Sequence, residues 1–336
     1  MLDSGQLVQG PLVERFEMAV AALVGRKHAV AVSSGTAALQ LALKVLQVGQ
    51  GDEVICPALS WPSPAHAARL AGAKVKFVDV DQDEWNSGGE AMRAARTSST
   101  KAAIVIDQFG NPARADEIGE ALGSLPIIED AACALGSRFS SGPCGSFGVI
   151  SCLSFHPRKI LTTGEGGMCL TDDDEVADQL RMLRNHGQLR GEFVIASGNS
   201  RMTEIAAALG LAQLRRLDEI IVRRRELATL YRKVLNPELA LQQTPVGAES
   251  NYQTFGVILP QGHGRNATRE KLRERGVEAG LLSFAIHKLG SFVGNGSSMP
   301  ISEHVAGRGI ALPLYPQMKN AEVEQVAQAL DGVLHE

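Results

Sequence analysis

The stretch AVAVSSGTAALQLALKVL, residues 29–46, decides the fold. Residues 29–32 are small or β-branched with no polar alternation, the pattern of a strand covered on both faces. Ser33, Ser34 and Gly35 interrupt it, and over 36–46 the apolar residues take up helical spacing. Strand, tight turn and helix make the first half of a β-α-β unit. The theme continues outward from there. Residues 53–55, 74–78, 102–106, 125–128, 148–153 and 168–170 read as further apolar strands, with helical sequence around 65–70 and 116–122. Continuous apolar strands separated by helices predict an α/β fold with a mostly parallel central sheet covered by helices.

Beyond residue 200 the pattern changes. A single long helix is expected over 203–234, with Leu211, Leu214, Leu217, Ile221, Leu227 and Val234 at roughly helical spacing. Arg223, Arg224 and Arg225 lie on it beside Asp218, Glu219 and Glu226, which favours a solvated helix face over a nucleic-acid contact. A strand over 252–259, a helix over 269–275 and a closing amphipathic helix over 321–334 follow. This organisation predicts a large domain, 1–230, and a small C-terminal α+β domain, 231–336.

Bulk properties exclude several function classes. The 336 residues are 44% hydrophobic and 21% charged, an ordinary globular balance. A formal net charge of -4 argues against nucleic acid or an anionic membrane as the partner. No apolar run approaches the ~20 residues of a membrane span. The start, MLDSGQLVQG, has neither a basic leader nor an apolar core, so a cytoplasmic protein is expected. The five cysteines, Cys56, Cys133, Cys144, Cys152 and Cys169, contain no C-x-x-C pair and are odd in number. Neither a metal site nor a disulfide framework is expected from them.

Four local features carry chemistry. Ser33 to Ala38 follow a strand and open a helix, where free amides attract an anion such as phosphate; small residues also start many helices with no ligand. Glu129 and Asp130 end an apolar strand at the edge of an open sheet where ligands bind. A carboxylate there pairs with a cation, or else caps a helix. SFHPRK (154–159), followed by TTGEGG (162–167), sets a lysine among Ser, His and Gly inside apolar sequence. A desolvated lysine is a nucleophile and a base; a solvated loop lysine is the alternative, and His156 reads as a structural histidine. Finally, GNSRMT (198–203) precedes the long helix, and Asn199 either caps it or reaches a ligand.

In this order the features resemble the DegT/DnrJ/EryC1/StrS family of sugar aminotransferases, whose architecture is the fold-type I of aspartate aminotransferase. The resemblance runs nearly end to end: GPLVERFE (10–17), SSGTAAL (33–39), GDEVICP (51–57), AGAKVKFVDVD (71–81), EDAACALGS (129–137), GSFG (145–148), SFHPRKILTTGEGG (154–167), RNHG (184–187), NSRMTEIAAALGLAQL (199–214) and LPLYP (312–316). It implies pyridoxal 5'-phosphate held in a Schiff base by Lys159, with Asp130 on the pyridine nitrogen. Gly35, Thr36 and Ser154 would bind the phosphate, and Trp61 would stack on the ring. Cys133 would face the ring hydroxyl. Asn199 would reach the neighbour's phosphate in a homodimer with shared active sites, and His287 would lie near the sugar.

The implied reaction moves an amino group from an amino acid, glutamate, through pyridoxamine 5'-phosphate to a keto sugar carried on a nucleotide. Two alternatives share the fold: a pyridoxamine-phosphate-dependent sugar dehydratase, whose members replace the lysine by histidine, and a non-catalytic cofactor-binding regulator. There are departures from the family pattern. Cys133 stands for Gln or His, IDQFG (106–110) for Val-His-Leu-Tyr-Gly, Val149 for Asp and Ser200 for Tyr. They touch the substrate reading more than the cofactor reading.

Overall fold

The computed structural model describes residues 2–292 and 298–336. Seven strands form the central sheet: β1 (His28–Val32), β2 (Glu53–Pro57), β3 (Lys74–Val78), β4 (Thr100–Ile106), β5 (Ile127–Asp130), β6 (Ile150–Ser154) and β7 (Gly167–Thr171). Their order is β1-β7-β6-β5-β4-β2-β3, and β7 alone runs against the others. Alternate residues of each strand feed opposite faces. Val30 and Val32 join a core with Leu39, Leu43, Ile104 and Ile128, while Ala31 joins Val13, Phe16, Leu153 and Met168 on the other side. Burial on both faces is why these strands show no polar alternation.

Helix α1 (Pro11–Val24) covers one face and α2 (Gly35–Val45) the other. The helix expected over 203–234 is two, α3 (Glu204–Leu214) and α4 (Leu217–Val234). The break falls at Arg215 and Arg216, where Arg216 leaves helical geometry at φ -109°, ψ 4°. The two parts have different partners. Gly210 of α3 lies under the Phe16 ring of α1, so close that a Cβ would stand 2.7 Å from its carbons. Leu227, Ala228 and Tyr231 of α4 pack instead with the C-terminal core. A straight rod cannot serve both surfaces.

The arginine cluster of α4 is likewise not a solvated face. Arg224 is buried and donates to the carbonyls of Tyr252, Gln253 and Leu314. Arg225 donates to Ser250 O, and Arg223 to Met318 O. Burial draws the Arg224 pKa down to about 10. These side chains clamp α4 to the loops of the C-terminal region.

That region holds a four-stranded antiparallel sheet, ordered Ala240–Leu241, Phe255–Ile258, Gly309–Leu312, Gly280–Leu281. Its core gathers Tyr231, Phe255, Leu312, Val323 and Leu330, the last two from α5 (Asn320–Leu334). On this packing we propose dividing the chain within α4, near residue 230. Trp85, Phe109, Ile258 and Leu282 form a further core that joins the two parts. Among the described residues no helix is long and apolar enough to cross a membrane.

Candidate active site

The carboxyl ends of β1, β5 and β6 meet at one edge of the sheet. Ser34 caps α2 there, its Oγ accepting from Ala37 N at 3.1 Å. Helix geometry leaves the Gly35 and Thr36 amides without intrahelical acceptors, available to an anion. Gly35 is dictated by close approach: a Cβ would sit 2.8 Å from Ser154 Cβ. Gly167 presses equally close on the other side, where a Cβ would meet Ser34 C and O at 2.3 Å. Gly35, Thr36 and Ser154 are thus one constellation. Ser63 adds to it, its hydroxyl 2.9 Å from Thr36 Oγ1. Nothing in its local sequence marked Ser63 beyond its closeness to Trp61.

Asp130 ends β5, and only 6% of it is exposed. Residues 131–137 are turns and irregular chain, so it caps no helix; its Oδ1 accepts from Ala132 N at 3.1 Å. Burial pushes its pKa up to about 6, against the pull of the Lys159 charge and the Ala132 amide. Cys133 follows in the same loop. Asn251 holds that loop by donating to the carbonyls of Cys133 and Leu135.

The lysine loop leaves β6 at Ser154. Buried Phe155 anchors it, Lys159 N donates to His156 O at 2.9 Å, and His156 Nδ1 accepts from Arg158 N. His156 is therefore engaged in shaping the turn. Lys159 Nζ lies 3.0 Å from Cys133 Sγ. Trp61 stands 56% exposed instead of in the core, edge-on to Phe284 and beneath the Arg158 guanidinium at 5.7 Å. Arg158 lies inside the quoted lysine motif without a role assigned to it there, and Phe284 is a site neighbour outside every motif.

Two predicted residues have other partners in this chain. Asn199 is exposed, and its Oδ1 accepts from Arg201 N at 3.2 Å. The adjacent Ser200 O accepts from Ser33 N, which lays this segment beside the glycine turn. His287 is buried, its Nε2 3.0 Å from Glu303 Oε1 and its ring against Phe77. That pairing holds the Glu303 carboxyl down at about 2.

The donor set fits a phosphorylated, cationic aldehyde. Free amides and hydroxyls at one end suit an anion. A buried carboxylate held above its ordinary range suits a ring N–H⁺, and a primary amine lies close enough for its charge to act on that carboxylate. This sheet with this edge defines the class: it is the fold of the pyridoxal-phosphate-dependent aminotransferases. Residues 1–331 match the model of the DegT/DnrJ/EryC1/StrS aminotransferase family, and the chain belongs to that family.

Solved structures agree. The aminotransferase TlmJ of Streptoalloteichus hindustanus is 32% identical, covering 99% of this chain and 93% of that one, with a TM-score of 0.94. Spr1654 of Streptococcus pneumoniae, in its PMP form, is 26% identical over 99% of this chain and 94% of its own, with a TM-score of 0.92. A point mutant of the GDP-4-keto-6-deoxymannose-3-dehydratase ColD, bound to GDP-perosamine, is 28% identical over 98% of this chain and 95% of its own, with a TM-score of 0.89. Family and neighbours together indicate a pyridoxal-phosphate-dependent sugar aminotransferase or a related dehydratase.

Proposed function

We propose that this chain is an aminotransferase that moves an amino group from an amino acid, glutamate, to a keto sugar carried on a nucleotide. The observation that carries the choice is Lys159 itself, a primary amine 3.0 Å from Cys133 Sγ whose charge acts on Asp130. Dehydratases of the family characteristically have histidine at that position, so the likeness to ColD supports the fold more than the reaction.

Pyridoxal phosphate, when bound, supplies an electron-withdrawing ring that stabilises negative charge on the substrate carbon. The residues do the rest. Gly35 and Thr36 amides with the Ser154 hydroxyl bind the phosphate. Asp130 keeps the ring nitrogen cationic. Trp61, edge-on to Phe284, would cover the ring. Lys159 Nζ would hold the cofactor, and its free amine would hold and move the substrate α-proton. Cys133 faces the ring hydroxyl with a thiol, a poor hydrogen-bond partner. His287, enclosed and held by Glu303, shapes the wall on the acceptor side.

A homodimer completes the site in this proposal, with Asn199 donated to the partner's phosphate. Exposed apolar side chains support it: Met18 on α1, Ile205 and Leu209 on α3, and Phe193 and Val194 beside Asn199's segment. Such a face favours burial against a second copy.

The test is direct. Borohydride treatment of the pyridoxal-phosphate-loaded protein should fix the cofactor on Lys159, read by mass spectrometry. Glutamate should convert the wild-type absorption to the pyridoxamine form, and Lys159→Ala should not. Attachment elsewhere, or full turnover by that variant, would falsify the assignment. Consumption of a deoxysugar precursor without an amino donor would favour the dehydratase.

A further inference from the structure

Successive residues of β5 point to opposite faces, so Glu129 turns away from the cofactor edge that Asp130 serves. On its side three ionisable groups meet: Asp107 just after β4, Glu129 in β5, and Cys144 in the loop before β6. They are 3%, 3% and 5% exposed, and a donor atom from each lies within 4.8 Å of the others. A cavity of about 200 Å³ opens against all three, lined also by Asp116, Ser141 and Ser146.

Hydrogen bonds do not use up this cluster. Glu129 Oε1 accepts from Gly145 N at 2.8 Å, and Oε2 from Phe147 N at 2.9 Å and Ser151 Oγ at 2.7 Å. That fills three of a carboxylate's roughly four acceptor sites. Asp107 Oδ1 accepts from Ala113 N at 2.8 Å, while its buried Oδ2 makes no well-formed hydrogen bond among the described residues and has only Glu129 and the Cys144 thiol themselves as polar neighbours. The guanidinium that comes nearest along the bond network, Arg26, serves the carbonyls of Gly145, Phe147 and Gly148, Ser151 Oγ and Asp172. Burial pushes Asp107, Glu129 and Cys144 all above their ordinary ranges, and the Glu129 charge pushes Asp107 further. Two carboxyls and a thiol are therefore packed together with no cationic side chain on them among the described residues.

A single proton shared between Asp107 and Glu129 would relieve the carboxyls alone. It would leave the thiol only a hydrogen-bond donor to Asp107 and the adjoining cavity without a role. A divalent cation answers all three. We propose that Asp107, Glu129 and Cys144 form a binding site for a divalent metal ion of zinc-like softness. Two oxygens and a sulfur suit such an ion, whereas magnesium and calcium avoid thiolates. The cavity has room for water as the fourth ligand of a tetrahedron. Amides from Ala113, Gly145 and Phe147 hold the carboxylates in place as an outer shell, the arrangement that fixes ligands in metal sites. Binding displaces the thiol proton and any proton shared by the carboxyls into solvent, with no change of oxidation state. Asp107 stands where the family pattern has histidine, so the site would be particular to this chain. It would tie the ends of β4 and β5 to the loop before β6, just behind Asp130.

The full-length protein, stripped with a chelator and titrated with zinc alone, should retain one metal per chain after dialysis and melt at a higher temperature. Cobalt in its place should give a near-ultraviolet thiolate-to-metal band. Asp107→Asn and Cys144→Ser should each weaken retention at least about 100-fold, beyond the 10–100-fold typical of outer-shell changes. Cys133→Ser and Lys159→Ala should keep both metal and band, which separates this site from the cofactor site. The cobalt band is read on the unaltered chain and stands even if a variant misfolds. Absence of stoichiometric metal and of the band in folded protein would overturn the proposal and leave a proton on the carboxyl pair; so would a band that vanishes with Cys133.

Discussion

Lys159 Nζ and Cys133 Sγ stand 3.0 Å apart, joining the loop after β5 to the loop after β6 at the centre of the site. Cys133 is half-buried, whereas Cys56, Cys144, Cys152 and Cys169 are buried. A thiol reagent should therefore modify one cysteine quickly in the cofactor-free protein, and peptide mapping should find it at Cys133. The adduct should block fixation of pyridoxal phosphate on Lys159, and bound cofactor should protect the thiol. Rapid loss of several thiols, or no protection, contradicts the placement.

Asp130 makes stability depend on pH with a definite sign. Burial raises its pKa from 3.8 to about 6 in the folded chain. The folded state thus holds this proton more tightly than the unfolded state. The contribution is fully present below pH 4, declines as pH rises through 6, and stays lost above. Asp130→Asn should make the cofactor-free protein more stable than wild type at pH 7 and above, by at most about 3 kcal/mol. The difference should fade below pH 4, as followed by chemical denaturation across that range. The same variant should bind pyridoxal phosphate more weakly, since its amide offers the ring nitrogen no charge.

Much of this arrangement can be read from the chain because its signals are local. Strands such as Thr100–Ile106 are continuous apolar runs, and the turn at Gly35 and the loop to Lys159 are contiguous motifs. Other features are set by distant partners. The helical pattern runs unbroken through Arg215 and Arg216, and only the separate surfaces offered by Phe16 and the C-terminal core divide it. Helix α1 has no side-chain cap at Gly10 to announce it. Arg224 looks like a surface charge until Tyr252, Gln253 and Leu314 place their carbonyls around it. Glu129 stands out in sequence only beside Asp130, and Asp107 only as a departure from the family pattern; nothing local joins them to Cys144, and they meet because β4 and β5 are neighbours.

Gly167 gives a steric test of the phosphate turn. The atoms that a Cβ there would meet belong to the backbone of Ser34 and Gly35, which cannot swing aside as a side chain would. Gly167→Ala should force β1 and β7 apart at the turn, costing roughly 1–3 kcal/mol of stability. It should also reduce pyridoxal-phosphate affinity, measured by fluorescence titration. Gly164→Ala, in the loop just before β7, meets no neighbour, though its φ of +83° adds backbone strain. It should lose stability with a smaller effect on cofactor binding.

Glu204 holds the amino-terminal segment to the body. It is 1% exposed, and its carboxylate accepts from the amides of Gly10, Leu12 and Val13 at 2.8 to 3.0 Å. Those amides are the free donors at the start of α1, so this one side chain at the start of α3 serves as its cap. Glu204→Ala strands three donors in a buried place, each costing about 1–3 kcal/mol where water cannot reach it. A loss of about 3 kcal/mol or more is expected by chemical denaturation, with the partial relief that water entry brings. Because α1 and α3 also carry Met18, Ile205 and Leu209, the proposed homodimer should, in the loosened variant, dissociate to monomers at higher protein concentration than in wild type, as read by sedimentation. Glu204→Gln keeps one acceptor oxygen and should fall between the two. If Glu204→Ala matched wild type in both measurements, the carboxylate would not be what fastens α1 to α3.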